Sequence, residues 1–172
     1  FGTGAGVNRF DGESFISFGV EDGFCNSYVG SIAEDRFGNL YFGTDRCIER
    51  YNGIEFTPIT EDDGLLSNTI YLLIADKDGN IWVGTNKGVD KIILDEDGEI
   101  EEIKNYSKEE GFTGIECNTR AVHMSANGEL WFGTVKGLIM YDPSENNTNY
   151  IEPKINITGI KLFFEEADLL QY

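Results

Sequence analysis

A short phrase ending in Gly-Thr occurs four times along the chain, at residues 1–3, 42–44, 83–85 and 132–134. Its threonines are separated by 41, 41 and 49 residues. Such regular self-similarity is typical of repeat architectures, in which each unit buries its apolar face only by stacking on a neighbour. The repeat therefore constrains the fold more than any single segment does, and it directs the search for function to what an array can bind.

Each unit carries the pieces of four short strands. A turn glycine precedes an apolar and aromatic strand that ends at Gly-Thr, as in residues 38–44, 79–85 and 128–134. A second strand ends in turn residues such as Asp-Gly or Asn-Gly, which suit hairpins because both central residues of a type I′ turn need positive φ. A third strand, an acidic loop and an apolar strand such as residues 70–75 complete the unit. Four strands in about 41 residues predict the blade of a β-propeller.

The copies of the repeat predict an all-β chain that forms a partial β-propeller of about three and a half four-stranded blades. Residues 2–18 would supply half a blade, and residues 28–60, 69–107 and 119–152 three more. The 21 glycines argue against a two-helix repeat, because they interrupt every candidate stretch of helical apolar spacing. Such an arc cannot close a ring. We therefore expect its open ends to self-associate or to be covered by further blades of a longer chain.

The net charge of the chain limits the kinds of partner that it can bind. The formal net charge is −18, from 31 acidic and 13 basic side chains, and no segment concentrates lysine or arginine. Nucleic acid and anionic lipid surfaces would be repelled, so neither is expected as a partner. The longest apolar run is far below the roughly 20 residues of a membrane-spanning helix, so we expect no membrane contact by this segment. Because the chain opens inside a predicted strand, we interpret it as part of a longer protein, and the missing signal peptide says nothing about location.

No metal or cofactor site is predicted. Cys25, Cys47 and Cys117 lack ligand spacing, and we interpret them as small buried side chains with free thiols. His123 stands alone and is predicted to be packed or to line the channel. The acidic segments at residues 76–80 and 95–99 are interpreted as hairpin turns, because the remaining ligands of a calcium loop do not follow.

The aromatic residues Tyr41, Trp82 and Trp131 share one repeat register, which predicts packing between blades. We find no catalytic constellation, neither a nucleophile elbow nor a phosphate-binding loop. A binding or scaffolding array is therefore favoured over an enzyme. Two alternatives stay open: a propeller enzyme of the lyase or glycosidase type with its site in the central funnel, and a purely structural or protein-docking propeller.

Three motifs carry a resemblance to a known family. The loop at residues 63–68, the strand at 78–85 and the Lys-Gly-Val at 87–89 resemble the two-component regulator propeller repeat, which combines an Asp-Gly-Leu-x-Ser-Asn loop with a Gly-x-Leu-Trp-x-Gly-Thr strand. The last copy has a longer loop at residues 110–118. The segments at residues 137–143 and 152–160 look like a closing blade that leads into an immunoglobulin-like "triple tyrosine" domain. The resemblance implies propeller blades over residues 1–152, then a linker and the first strand of a β-sandwich over residues 153–172.

The resemblance also implies a function. Members of this family are extracytoplasmic sensor regions of membrane-anchored receptors that signal to histidine kinases, and some detect oligosaccharides. We therefore expect a periplasmic or otherwise extracytoplasmic, non-enzymatic segment that senses an oligosaccharide or another small extracellular ligand, without a cofactor.

A candidate ligand face follows from propeller geometry. The loops that enter the innermost strands and the loops after each Gly-Thr emerge on one side, around the channel mouth. Amides, hydroxyls and cations there suit sugar hydroxyls or the carboxylate of a uronic acid. The candidates are Asn26, Ser27, Arg46, Ser67, Asn68, Lys87, Asn118 and Arg120. For Ser67 and Asn68 the alternative is a role in capping the turn itself.

The predicted half-blade would lack its innermost strand. Its backbone edge and the apolar side chains Val7, Phe10 and Phe15 are therefore expected to be unprotected. This is the sequence-based reason for expecting association at that end.

Overall fold

A computed structural model describes residues 1–26 and 28–145, together with the backbone of two short strands at 161–162 and 165–166. Four antiparallel sheets follow one another along the chain, each with its strands in sequence order. The described residues contain no α-helix, only short 3-10 turns. The strands are β1 Gly2–Thr3, β2 Gly6–Phe10, β3 Phe15–Phe18, β4 Ser31–Glu34, β5 Leu40–Gly43, β6 Ile48–Tyr51, β7 Phe56–Ile59, β8 Ile70–Ala75, β9 Ile81–Thr85, β10 Val89–Leu94, β11 Ile100–Tyr106, β12 Cys117–Met124, β13 Leu130–Thr134, β14 Gly137–Tyr141, β15 Lys161–Leu162 and β16 Glu165–Glu166.

This arrangement confirms the partial all-β propeller. Strands β4–β7 and β8–β11 form two complete four-stranded blades. The first sheet, β1–β3, has the three outer strands of a blade and lacks the innermost one, so the predicted half-blade holds three strands. In the last blade the described strands are β12, β13 and β14. The predicted fourth strand of this blade and the domain boundary at residues 152/153 lie outside the described residues; after residue 145 the structure describes the antiparallel pair β15–β16. The division into two domains stays a prediction.

Consecutive blades are joined at the entry to each innermost strand. The N–H of Val29 donates to the carbonyl of Thr3 at 3.0 Å, and the N–H of Ile70 donates to the carbonyl of Thr44 at 2.8 Å. The acceptor in each case is the threonine of the preceding Gly-Thr. The same backbone contact therefore recurs at the first two junctions between sheets, with the acceptor at the same repeat position.

Aromatic side chains fill the space between blades, as their shared register predicts. Tyr41 and Trp82 are fully buried. The Trp82 ring lies 4.6 Å from Tyr141 and 5.8 Å from Phe132, both in the following blade. Trp131, in the last described blade, is half-buried because no described strand covers its outer face.

The acidic segments are turns, as expected. Asp76 accepts the N–H groups of Asp78 and Asn80 at 3.0 and 2.9 Å, and Asp95 likewise accepts the N–H groups of Asp97 and Glu99. Asp76 also accepts the indole N–H of Trp82 at 2.9 Å. The oxygens of these carboxylates accept hydrogen bonds from backbone and side-chain donors of the turn. The hairpin turns therefore explain why the two segments are acidic.

The two outermost sheets of the arc each expose one apolar face. On β2 and β3, Phe10 and Phe15 are 47% and 63% exposed. The prediction that Val7 is unprotected is wrong, because Val7 points to the other face and packs with Phe24, Val29 and Phe42 of the next blade. On β14, Leu138 and Met140 are 65% and 45% exposed. Over the described residues, we find no helix that has the length and apolar character needed to cross a membrane.

Candidate functional site

The turns on the predicted ligand face are built around the repeated threonine. In Thr3, Thr44, Thr85 and Thr134 the Oγ1 donates to the carbonyl three residues later, at 2.8–3.1 Å. The same oxygen accepts the N–H two residues later, at 3.1–3.3 Å. One buried hydroxyl thus satisfies two backbone groups of a tight turn, which is why threonine follows glycine in every copy.

Two buried carboxylates tie the second set of loops to this face. Glu49 and Asp90 occupy the same repeat position, and both are fully buried. Glu49 accepts the N–H of Cys25 at 2.6 Å, and Asp90 accepts the equivalent N–H of Leu66 at 3.1 Å. Asp90 also accepts the side-chain amide of Asn105 at 2.7 Å. The sequence signal was present, since both residues follow the Gly-Thr threonine by five positions, but it was not used in selecting candidates.

Burial sets the charge state of these two groups. Desolvation raises the pKa of Asp90 to about 6, although the hydrogen bonds from Asn105 and Leu66 act in the opposite direction. Desolvation also raises the pKa of Glu49, against the lowering effect of the Cys25 N–H. The second oxygen of Glu49 has no hydrogen-bond partner among the described residues. Both carboxylates hold loops in place, and neither lines the cavity that forms where the innermost strands converge.

A disulfide joins the two loop sets in one blade. Cys25 precedes β4, Cys47 precedes β6, and their Cα atoms lie 6.4 Å apart. The expectation of free thiols is therefore wrong for this pair, because the fold brings together two residues that lie 22 positions apart in sequence. Cys117 remains a free and buried thiol, as expected, and burial raises its pKa to about 12. Cys25, Cys47 and Glu49 cluster like metal ligands, but the disulfide occupies both sulfurs.

A cavity of about 350 Å³ lies where the innermost strands converge. Its walls come from β1, β4, β8 and β12 and from the segment before β4. They are polar and apolar in about equal measure, and their apolar side chains include Ile32, Leu72 and Val122. Arg120 is the one charged side chain among the described residues that line it. Arg120 Nε donates to the carbonyl of Gly30 at 2.7 Å, across the cavity. This is the concave, partly polar space expected at a propeller channel.

The structure separates the predicted ligand residues into groups. Arg120 lines the cavity. Ser67 and Asn68 make hydrogen bonds within their loop, the capping role given above as the alternative to ligand binding. Ser67 Oγ accepts the N–H of Thr69 at 3.2 Å, and Asn68 Oδ1 accepts the N–H of Glu61 at 2.7 Å. Lys87 pairs with Glu61 at 3.0 Å. These three side chains do not line the cavity, so the structure gives them local roles.

The remaining candidates lie elsewhere on this face. Asn26 donates its amide to Asp45, and Arg46 and Asn118 are exposed. None of these three lines the cavity, and Ser27 lies outside the described residues. The loops do share one face, but of the predicted set the structure brings only Arg120 into the cavity. His123, expected to be packed or to line the channel, is an exposed residue of β12 that pairs with Trp131 and is not among the residues lining the cavity.

Comparison with known proteins agrees with the repeat. The family model described as "Two component regulator propeller" matches residues 23–46 and 64–87. No curated protein sequence matches the chain.

Two solved structures show the fold. One is the extracellular domain assigned to the hybrid two-component system BT3049 of B. thetaiotaomicron, which matches with a TM-score of 0.77 and 20% identity over 98% of this chain and 24% of that one. The other is the extracellular domain assigned to the one-component system BT4673 of the same organism, with a TM-score of 0.64 and 20% identity over 84% of this chain and 22% of that one. The chain thus spans about a quarter of the length of these structures. The chain is therefore a β-propeller segment, and two of its repeats, at residues 23–46 and 64–87, match the two-component regulator propeller model.

Proposed function

We propose that the chain is a ligand-sensing propeller segment of an extracytoplasmic, membrane-anchored two-component signalling receptor, and that its ligand is an oligosaccharide or another small extracellular molecule. The observation that carries the proposal is the match of two repeats to a signalling-regulator family. The two similar solved structures are both described as extracellular domains of signalling systems, which supports the same assignment.

The disulfide supports the extracytoplasmic location by an independent route. Structural disulfides form and persist in oxidising environments such as the bacterial periplasm, and they are rare in the cytosol. Cys25 and Cys47 lie in two different loops that the fold brings together, and their bond holds these loops on the proposed ligand face. A cytosolic protein would gain no lasting stability from this pair.

The chemistry of the buried groups favours binding over catalysis. The carboxylates with raised pKa, Glu49 and Asp90, are fully buried and hydrogen-bonded to loop backbone. A general acid or base has to reach its substrate within hydrogen-bond distance, and these two side chains face protein. The cavity instead offers an arginine among mixed polar and apolar walls, a set suited to holding a ligand.

The test uses the purified chain with a panel of neutral and uronic-acid-containing oligosaccharides. Calorimetry measures saturable binding, and chromatography of the same mixtures measures product formation. We expect stoichiometric binding of at least one oligosaccharide, no turnover, and a rise in melting temperature, because a ligand that binds only the native state stabilises it. Turnover without stoichiometric binding would favour the propeller-enzyme alternative. If no oligosaccharide binds or raises the melting temperature, a structural or protein-docking role would replace the sensor proposal.

A further inference from the structure

The innermost strand of the last blade departs from the repeat. Cys117 pairs with Thr134 and Val122 pairs with Phe132, so residues 118–121 of β12 lie opposite the single residue Gly133. The equivalent strand β8 has one extra residue, between Ile70 and Leu72, and β4 pairs with β5 without a shift. Bulges redirect side chains and occur often beside functional sites. The bulge in β12 is thus a local feature that the architecture of the other blades does not require.

Arg120 lies inside this bulge in an unusual backbone conformation. Its φ is +59°, in the left-handed region that non-glycine residues seldom adopt. From there its side chain crosses the cavity, and Nε reaches the carbonyl of Gly30, 90 positions away in sequence. This bond fixes the guanidinium plane against the segment that enters β4. The two terminal nitrogens make no hydrogen bond to any residue that the structure describes.

The surroundings determine what this group can bind. Arg120 is exposed to solvent, and the cavity it lines is open, with apolar side chains such as Ile32 and Leu73 beside polar groups such as Ser31. The molecule as a whole carries a formal charge of −18, so an anion is repelled everywhere except close to a local cation. The volume of about 350 Å³ is near the lower end of small-ligand pockets and suits a group the size of one sugar ring.

We propose that Arg120 anchors a carboxylate-binding site in this cavity, and that the ligand is a sugar acid held by its carboxylate. The planar guanidinium, fixed through Nε, presents its two terminal nitrogens as a fork, which matches the two oxygens of a carboxylate. The apolar part of the lining, which includes Ile32 and Val122, contacts the sugar ring. The inference rests on the proposed sensor function and specifies the chemical class of its ligand.

The direct test titrates the chain with three probes: glucuronate, glucose and acetate. We expect glucuronate to bind at least about tenfold more tightly than glucose, because a charged hydrogen-bonded pair is worth a factor of about ten or more. Acetate separates the two sources of carboxylate, and weaker binding of acetate than of glucuronate identifies the sugar acid. Raising the salt concentration should weaken glucuronate binding, since screening acts on a solvent-accessible charge.

Substitutions locate the site. R120Q should weaken glucuronate binding about 10- to 100-fold, while R120K, which keeps the charge but loses the fork, should fall between R120Q and the unmodified chain. K136Q is the matched control, because Lys136 is an exposed cation in the turn after Gly133-Thr134 and does not line the cavity, and it should bind glucuronate unchanged.

A purely structural role for Arg120 predicts a different pattern. R120Q would then lower the melting temperature of the ligand-free chain but leave the preference for glucuronate over glucose intact, and that result would overturn the inference. Equal binding of glucuronate and glucose, unaffected by R120Q, would overturn it while the sensor proposal stands. If glucuronate fails to bind but a neutral oligosaccharide from the panel binds, the carboxylate site is wrong and the sensor function is retained.

Discussion

The glycine of each Gly-Thr pair is required by close packing against the innermost strand. A Cβ on Gly84 would lie 2.5 Å from Leu72 Cγ and 2.9 Å from Cys117 Sγ, and a Cβ on Gly133 would lie 2.7 Å from Ala121 Cβ. All three distances are shorter than real side-chain contacts allow. Glycine therefore keeps neighbouring strands and blades close, while the threonine after it closes the turn.

We predict that G84A destabilises the chain by about 1–3 kcal/mol, the usual cost of forcing an extra methyl group into a packed interior. Leu72 is buried and has little room to move. Urea denaturation followed by circular dichroism measures the change. G4A is the matched control, because a Cβ on Gly4 meets nothing within 4 Å, and it should change stability by less than about 0.5 kcal/mol. Equal effects of the two substitutions would show that packing at Gly84 is not the cause.

The buried Asp90 makes stability depend on pH in a defined window. Burial raises its folded-state pKa to about 6 from an ordinary value of 3.8, so the folded chain binds this proton more tightly than the unfolded chain does. The contribution of Asp90 to stability is therefore full below about pH 4 and is lost as the pH rises to about 6. A shift of this size corresponds to about 3 kcal/mol.

We predict that D90N flattens this pH dependence. Asparagine does not ionise, so the loss of stability between pH 4 and pH 6.5 should be smaller in D90N by up to about 3 kcal/mol. Glu49, whose pKa is raised in the same direction, is present in both proteins and cancels in the comparison. Urea denaturation at several pH values gives both profiles. Parallel profiles would mean that Asp90 titrates normally in the folded chain.

At the scale of elements, each blade is held by the same few contacts, and one blade has an additional covalent link. The loop before β4 is attached to the β5–β6 turn through the Cys25–Cys47 disulfide and through the Cys25 N–H to Glu49. In the next blade, Leu66 and Asp90 make the corresponding hydrogen bond without a disulfide. The disulfide thus reinforces a loop attachment that the repeat already provides.

We predict that the C25S/C47S double variant, or reduction of the disulfide, costs about 2–4 kcal/mol, as expected for a closed loop of this size. The melting temperature should fall by about 10 °C in a chain of this length. Thiol counting provides the control: alkylation in denaturant without reductant should modify one cysteine, Cys117. Modification of all three would show that the disulfide does not form.

At the scale of the whole molecule, the two open faces of the described arc carry residues from the repeat positions that pack between blades. Trp131 has the repeat position of Trp82, which packs on Tyr141 of the following blade. Phe10 has the repeat position of Tyr141 and of Tyr51. The face with Trp131 and Met140 thus corresponds to one side of a blade junction and the face with Phe10 and Phe15 to the other, and each carries exposed apolar side chains.

We propose that the chain associates with a second copy through these faces, head to tail. The contact repeats an inter-blade interface and should bury more than about 1,000 Å². The charge of −18 opposes association, so higher salt should strengthen it. Sedimentation at low and high ionic strength, at a chain concentration on the order of 100 µM, measures both effects.

Substitution at one face tests the mode of contact. F10D should abolish association, whereas I54D, at a site that is 89% exposed in the β6–β7 turn, should leave it unchanged. A sharp monomer boundary at both ionic strengths would show that the open faces do not associate. Further blades of a longer chain would then be their remaining predicted partners.

Local sequence determined the array of blades, because the same structural requirement selects the same residue type in every copy of the repeat. Three features recur at fixed positions: a glycine where strands pack closely, a threonine where a turn needs a hydroxyl, and an aromatic residue between blades. The order of the blades and the aromatic packing could therefore be predicted from sequence. The face that carries the candidate loops also followed from the repeat, since loops at equivalent positions emerge on one side of a propeller.

Tertiary structure decided what departs from the repeat or joins distant positions. Cys25 and Cys47 lie in different segments, and their pairing depends on a loop position that no local pattern encodes. Val7 and Phe10 belong to one strand, yet only packing shows which face is covered. Arg120 was one of eight candidates by sequence, and the bulge in β12 places it across the cavity from Gly30. Periodicity fixes contacts between equivalent neighbours, whereas a register shift or a cross-link depends on the positions of atoms far apart in the chain.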